Sequence, residues 1–188
     1  MQDDYNKMVE SVNKYKGFYV GRYETGIEAG KAVSKNASTT EGVTTADAGG
    51  ENTPETKYWY GLYKKQKEMA KDNGLTTVES SMIWGSQYDA MMNWMIKTGT
   101  TVGAGFDTTK RKANENVTGA SPDDIINQIH DLYGVHTEWT LEAYFVGFRT
   151  LRGGAYEYGD YSPGSRTLGY SPDTYSFRDG SRLSMYVK

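Results

Sequence analysis

The chain has 188 residues, which is enough for one domain with a sizeable hydrophobic core. Lys and Arg number 21 against 24 Asp and Glu, the formal net charge is -3, and 37% of the residues are hydrophobic. This composition is typical of a folded protein without the basic stripe of nucleic-acid-binding domains. No apolar run approaches the roughly 20 residues of a membrane span. We therefore expect neither nucleic-acid binding nor membrane insertion.

Cysteine is absent, and histidine occurs only at positions 130 and 136. The lack of cysteine excludes disulfides, thiolate zinc sites and a cysteine nucleophile. The acidic N-terminus, Met1-Gln2-Asp3-Asp4, has no apolar stretch, so no secretory signal is visible. We expect a protein that is made in the cytoplasm and has no cofactor.

Helical patterns occupy the first half of the chain. One apolar face with i, i+3, i+4 and i+7 spacing predicts a helix over 4–15; its residues are Tyr5, Met8, Val9 and Val12. An aromatic strand over 17–24 follows. A second helix is predicted over 57–72 and a third over 86–97, with Ser86 as the N-cap of the third. The third helix has an apolar stripe that predicts core residues: Trp84, Tyr88, Met91, Met92 and Met95.

The remaining segments lack helical periodicity. Residues 33–56 are rich in Ser, Thr, Gly and Ala and predict a long polar surface loop. From Ile125 onward, short aromatic segments alternate with Gly, Pro, Ser and Asp, which is typical of short strands. The predicted fold class is therefore α+β, with helices packed on short irregular antiparallel sheets in one domain over 1–188.

Two ordered sequence blocks resemble the formylglycine-generating-enzyme family. Residues 127–140 read Asn-Gln-Ile-His-Asp-Leu-Tyr-Gly-Val-His-Thr-Glu-Trp-Thr, and Arg152-Gly153-Gly154 follows twelve residues later. The matching positions are Asn127, Asp131, Leu132, Gly134, Glu138, Trp139, Thr140, Arg152, Gly153, Gly154, Ala155 and Tyr156. Residues 17–24 look like the opening strand of that family. The resemblance implies its version of the C-type lectin fold.

The matching residues also have physical roles of their own. Trp139 is a large core filler, and we expect Glu138 to pair with backbone N–H groups or with an arginine such as Arg149 or Arg152. Gly153 and Gly154 permit tight turns around a sheet. A Ca²⁺ ion held by some oxygen atoms of residues 127–140 is an alternative role for this segment.

Departures from the family pattern argue against catalysis. The catalytic members use cysteine for oxidative chemistry, and this chain has none. The usual closing Gly-Phe-Arg is replaced by Gly180-Ser181-Arg182, followed by a predicted last strand over 183–188. A serine hydrolase is not indicated, because no Gly-x-Ser-x-Gly occurs, whereas paired carboxylates leave an enzyme of another reaction open.

Residues 144–182 are rich in Tyr, Gly and Ser, with Arg and Asp interspersed and no Lys, which resembles an antibody paratope. A framework is predicted at Arg149, Arg152, Gly153, Gly154, Pro163, Arg166, Pro172, Gly180, Ser181 and Arg182. The candidate ligand-binding positions between them are Tyr144, Phe145, Val146, Gly147, Phe148, Tyr156, Tyr158, Tyr161, Leu168, Tyr170, Asp173, Tyr175 and Phe177.

Tyr, Phe, Gly, Asp and Ser at such positions can all arise from Asn codons mutated at adenines. The pattern resembles the variable proteins of diversity-generating retroelements, which are phage and bacterial receptor-binding proteins on a C-type lectin scaffold. The resemblance implies a partner that is a protein or glycan on a cell surface, and a location on a phage virion or at a cell surface. Two alternatives stay open: an ordinary irregular β structure whose tyrosines are partly core, and a structural tail or coat module.

Overall fold

A computed structural model of the chain describes residues 1–37, 58–99, 117–119, 121–155, 161–174, 176 and 179–188. It contains three helices at the positions that the sequence predicts: α1 (Gln2–Tyr15), α2 (Trp59–Asp72) and α3 (Gly85–Lys97). The predicted polar loop over 33–56 lies outside the described residues from position 38 onward.

Two helix ends differ from the sequence prediction, by one residue in α1 and by two residues in α3. Helix α1 ends at Lys16, which adopts the left-handed conformation with φ of 62°, and not at Gly17. Helix α3 is capped by Trp84 instead of Ser86. The Trp84 N–H donates to Oε1 of Gln87 at 3.1 Å, so a side chain in the first turn satisfies an N–H that precedes it.

Eleven short strands are present among the described residues. They are β1 (Tyr19–Val20), β2 (Gly26–Glu28), β3 (Lys31–Val33), β4 (Val78–Met82), β5 (Ile125–Ile126), β6 (Ile129–His130), β7 (Thr137–Ala143), β8 (Arg149–Arg152), β9 (Arg166–Leu168), β10 (Asp179–Ser181) and β11 (Leu183–Val187).

The strands form two main sheets. The first has the order β1-β11-β4 and is antiparallel throughout. Its central strand, β11, is the last strand that the sequence predicts over 183–188. The second has the order β10-β7-β8-β9. Its β7–β8 and β8–β9 pairs are antiparallel, but β10 runs parallel to β7, with Gly180 opposite Glu138. Short hairpins β2–β3 and β5–β6 complete the described strands.

Aromatic and methionine side chains build the core between the sheets and helices. Trp139 is fully buried, packed in one cluster with residues of α1, α2, β4 and β11. The predicted stripe of α3 is buried as expected: Trp84 joins the Trp139 cluster, and the second cluster holds Tyr88, Met91, Met92 and Met95. Burying a large apolar side chain contributes roughly 1.5–3 kcal/mol, so these residues account for much of the drive to fold.

Arg182 is fully buried and neutralises Glu138. Its Nε donates to Oε1 of Glu138 at 2.9 Å, and its two terminal nitrogens donate to the carbonyls of Gly21 at 3.0 Å and His130 at 2.8 Å. The expectation that Arg149 or Arg152 partners Glu138 is wrong. Because β10 lies beside β7, the residue that follows β10 reaches Glu138 instead.

The same arginine explains why the predicted strand over 17–24 is shortened to β1. Gly21 N–H donates to Leu183 O at 2.8 Å, and Thr25 N–H next returns to Ser181 O at 2.8 Å. Between these two hydrogen bonds the chain bends around the guanidinium of Arg182, which donates a hydrogen bond to Gly21 O. Continuous pairing through residue 24 would leave the arginine without this acceptor, a large cost for a buried charge.

A second buried pair, Glu24 and His136, lies beside this ion pair. The backbone N–H of His136 donates to Oε1 of Glu24 at 3.1 Å, the imidazole Nδ1 lies 3.5 Å from Oε2, and both side chains are inaccessible to solvent. Burial, and then the Glu138 charge, raise the pKa of Glu24 well above its usual value. Burial lowers the pKa of His136 to about 3. Both shifts favour the uncharged forms of these two groups, and Glu138 is the carboxylate that Arg182 contacts directly.

Replacing the buried arginine tests this network. We expect Arg182→Met to lower the free energy of unfolding by about 3–5 kcal/mol, because Glu138 is left as an uncompensated buried charge. Lys35→Met is the control, since Lys35 pairs with Glu28 at the surface, and it should cost about 1 kcal/mol or less. Urea denaturation measures both variants. A loss below about 1 kcal/mol for Arg182→Met would contradict the assigned role.

Candidate functional site

Five of the candidate residues form the turn between β7 and β8. The Phe148 N–H donates to Phe145 O at 3.0 Å, and the Tyr144 N–H donates to Phe148 O at 3.2 Å. Gly147 has φ of 84°, the left-handed conformation that a type II turn requires at its third position. Gly147 therefore shapes the turn, and the other four residues provide its side chains. We call residues 144–148 the aromatic tip.

The aromatic tip exposes most of its apolar surface. Val146 at the apex is 95% exposed, and Tyr144 and Phe145 are 51% and 50% exposed. The Phe145 and Phe148 rings stack with centroids 4.4 Å apart, and the Tyr144 ring meets Phe145 edge-on at 5.6 Å. The rings thus order one another without being buried.

Two further candidates continue this surface across the sheet. Leu168 lies opposite Thr150 at the end of β9 and is half exposed. Tyr170 accepts a hydrogen bond at its carbonyl from the Arg149 N–H at 3.1 Å, directly after the tip, and its ring contacts the edge of Trp139. Between them, a Cβ on Gly169 would lie 2.0 Å from Arg149 O, so this close approach requires glycine.

The other candidates are placed differently or lie outside the described residues. Tyr161 is half-buried, and its carbonyl lies near Gly154. Asp173 is exposed. Four candidates are not among the described residues: Tyr156, Tyr158, Tyr175 and Phe177. The structure therefore brings together residues 144–148, Leu168 and Tyr170.

Arg149 anchors the base of the aromatic tip. Its guanidinium lies over the Trp59 ring at 4.7 Å, and burial lowers its pKa below the usual value. Trp59 in turn donates its indole N–H to Thr140 O at 2.9 Å. This cation–π contact connects the hairpin to the start of α2 and limits its movement.

Four charged side chains lie beside this surface and form a charge quartet of Asp89, Glu142, Arg152 and Arg166. Arg152 and Arg166 reach the two oxygens of Asp89 at 2.6 and 2.7 Å, and Arg166 Nε lies 3.1 Å from Glu142. Neither acid was predicted from the sequence. Asp89 is on α3 and Glu142 on β7, and no local pattern connects them.

The charge quartet borders a cleft of about 490 Å³ at the start of α3. Its lining residues are Met1, Gln2, Tyr5, Trp84, Gly85, Ser86, Asp89, Glu142 and Arg166. A Cβ on Gly85 would lie 2.3 Å from a Glu142 oxygen, so glycine allows that carboxylate to approach the helix N-terminus.

Asp131 and the nearby Asp124 accept hydrogen bonds from backbone N–H groups. The Asp131 carboxylate accepts the Gly119 N–H at 2.9 and 3.0 Å, and Asp124 accepts the N–H groups of Leu132 and Tyr133. Among the described residues, no group of three or more His, Asp or Glu side chains is arranged to hold a metal ion. In the same part of the chain, no helix is long and apolar enough to cross a membrane.

Three solved structures share this architecture. The structure of CarF has a TM-score of 0.58 and 12% identity, covering 91% of this chain and 87% of its own. PvdO from Pseudomonas aeruginosa has a TM-score of 0.56 and 11% identity, and the match covers 90% of this chain and 80% of PvdO. Treponema denticola variable protein 1 has a TM-score of 0.53 and 12% identity, and the match covers 89% of this chain and 94% of that protein. The fold is the formylglycine-generating-enzyme-like C-type lectin fold. This confirms the predicted fold class. No family model and no curated protein sequence matches the chain.

Substitutions in the aromatic tip should leave folding intact. We expect Val146→Ala and Tyr144→Ala to change the free energy of unfolding by less than about 0.5 kcal/mol, because these side chains are largely exposed. Leu151→Ala, in the core behind the tip, should cost about 2–5 kcal/mol. Urea denaturation distinguishes the two classes. A loss above about 2 kcal/mol for Val146→Ala would show that the tip belongs to the core.

Proposed function

We propose that the protein is a non-enzymatic recognition protein, which binds a protein or glycan on a cell surface through the aromatic tip, Leu168 and Tyr170. The observation that carries the proposal is the exposure of the tip. Val146, Tyr144 and Phe145 present contiguous apolar surface to water on a rigid hairpin. Monomeric proteins rarely keep such a patch without a partner that covers it.

The chemistry of the tip suits recognition. Aromatic side chains offer a large contact area with only two rotatable bonds, so ordering them on binding costs little entropy. Here the turn hydrogen bonds and the Phe145–Phe148 stacking order them before binding. Preorganisation of this kind raises affinity, because less freedom is lost in the complex.

The separation of framework from surface supports a variable protein of the diversity-generating-retroelement type. Seven of the ten predicted framework residues are buried, Arg149 and Pro172 are half-buried, and Arg166 is exposed. Residues 144–147, Leu168 and Tyr170 are exposed. Exposed positions tolerate exchange with little effect on stability. A structure named variable protein 1 shares the fold. We therefore propose that the surface is diversified and displayed on a phage virion or at a cell surface.

The two histidines do not suit acid–base catalysis. His136 is buried against Glu24 with its pKa lowered to about 3, so it is neutral and cannot act as an acid near pH 7. His130 packs against the Tyr23 ring at 4.4 Å, and burial lowers its pKa. These placements support the non-enzymatic proposal.

A binding panel of bacterial surface preparations tests the proposed function. We expect the purified chain to bind at least one preparation, and Tyr144→Ala with Val146→Asp to weaken that binding tenfold or more, since contacts at the centre of an interface carry most of its energy. Tyr19→Ala is the control, because Tyr19 is 57% exposed on β1 in the other sheet. Equal losses for both variants would contradict the assigned surface.

Diversification makes a separate prediction at the nucleotide level. We expect an imperfect repeat of the codons for residues 144–182 near the coding sequence, differing at adenines, and a reverse transcriptase beside it. Sequencing of the locus checks this. If neither is present, the proposal is reduced to a lectin-like binding module with a fixed surface.

A further inference from the structure

Strand β9 forms an open edge of the second sheet. Within the described ranges, β9 pairs with β8 alone. The Gly153 N–H donates to Ser165 O at 3.2 Å, and Leu151 lies opposite Thr167 two residues further along. Hydrogen-bonded pairs alternate along an antiparallel ladder. Thr167 therefore directs its backbone groups toward β8, whereas Arg166 and Leu168 direct theirs away from the sheet.

Among the residues that the structure describes, this edge lacks the usual protection against strand pairing. Edge strands are commonly blocked by an unpaired charge, a proline or a covering segment. Leu168 is apolar and half exposed, and the guanidinium of Arg166 is held by Asp89 at 2.7 Å and Glu142 at 3.1 Å. The charge nearest the edge is thus already neutralised and does not oppose a partner strand.

The aromatic tip is poorly suited to a sugar. Sugars bind proteins through an exposed ring face together with hydrogen bonds to their hydroxyls. Phe145 and Phe148 cover one face of each other, and among the side chains of the tip only Tyr144 has a hydrogen-bonding group. The tip is instead a convex apolar projection, which fits a concave apolar pocket of a protein.

We infer that the partner is a protein that adds an extended strand to the edge of β9; this inference rests on the proposed function and narrows it. The partner backbone pairs with the outward N–H and C=O groups of Arg166 and Leu168. Main-chain hydrogen bonds of this kind provide affinity, and alternate side chains provide specificity. One such side chain meets Leu168, and the same partner covers the aromatic tip.

The chemical nature of the partner is tested first, with the full chain and a bacterial surface preparation that binds it. One portion is treated with protease and another with periodate, which oxidises glycans. We expect protease to abolish binding and periodate to leave it within about twofold. Loss of binding after periodate alone identifies a glycan and overturns the inference, while the proposed function stands.

Paired substitutions then test the backbone contact. Leu168→Ala removes the side chain and keeps the outward N–H, whereas Leu168→Pro removes both. Because that N–H does not bond to β8, proline is compatible with this edge position. We expect Leu168→Pro to bind at least tenfold more weakly than Leu168→Ala, and Arg166→Pro to differ from Arg166→Ala in the same way.

Circular dichroism and melting temperature establish that each variant is folded. If Leu168→Pro unfolds, the comparison of Arg166→Pro with Arg166→Ala tests the backbone contact instead. Equal binding of the proline and alanine variants overturns strand addition. If these variants bind equally while Tyr144→Ala with Val146→Asp still loses binding, only this inference fails. If the wild-type chain binds no preparation, the proposed function fails as well.

Discussion

The burial of Arg182 is the constraint that shapes the sheets around it. A guanidinium without water must have its charge balanced and its N–H groups bonded, or the fold loses several kcal/mol. Glu138 on β7 supplies the charge, and the carbonyls of Gly21 and His130 supply further acceptors. The bend after β1 and the parallel pairing of β10 with β7 both bring these groups to one side chain. The arginine thus joins the N-terminal segment, the 127–140 region and the C-terminal strands.

This arrangement separates the residues that stabilise the fold from the exposed aromatic tip. The residues that hold the sheets together are buried, and the hairpin between β7 and β8 extends from them without contributing to the core. Arg149 connects the two regions, because its backbone begins β8 while its guanidinium stacks over Trp59. A surface supported in this way can change its side chains while the backbone beneath keeps its geometry.

The sequence predicted the parts of the fold that depend on local patterns. Helical periodicity located all three helices, and the Arg152-Gly153-Gly154 block located a turn in which Gly153 has φ of 77°. Local patterns did not reveal Glu138 with Arg182, or Asp89 with Glu142, because these residues are far apart in the chain and meet only through sheet order. For the site, clustered Tyr and Phe indicated the aromatic tip, whereas the role of Gly147 as a turn residue depended on backbone conformation.

Glu24 also affects the proton balance of folding. Because its pKa is raised, there is a pH range between the unfolded and the folded value in which the folded protein keeps a proton on this carboxyl and the unfolded chain has released it. Unfolding then liberates one proton from this site, and higher pH favours the unfolded state. The contribution of Glu24 to stability is complete below its unfolded pKa of about 4.5 and is lost as the pH rises through its folded value. In mildly acidic surroundings the scaffold would thereby be held more firmly through this group.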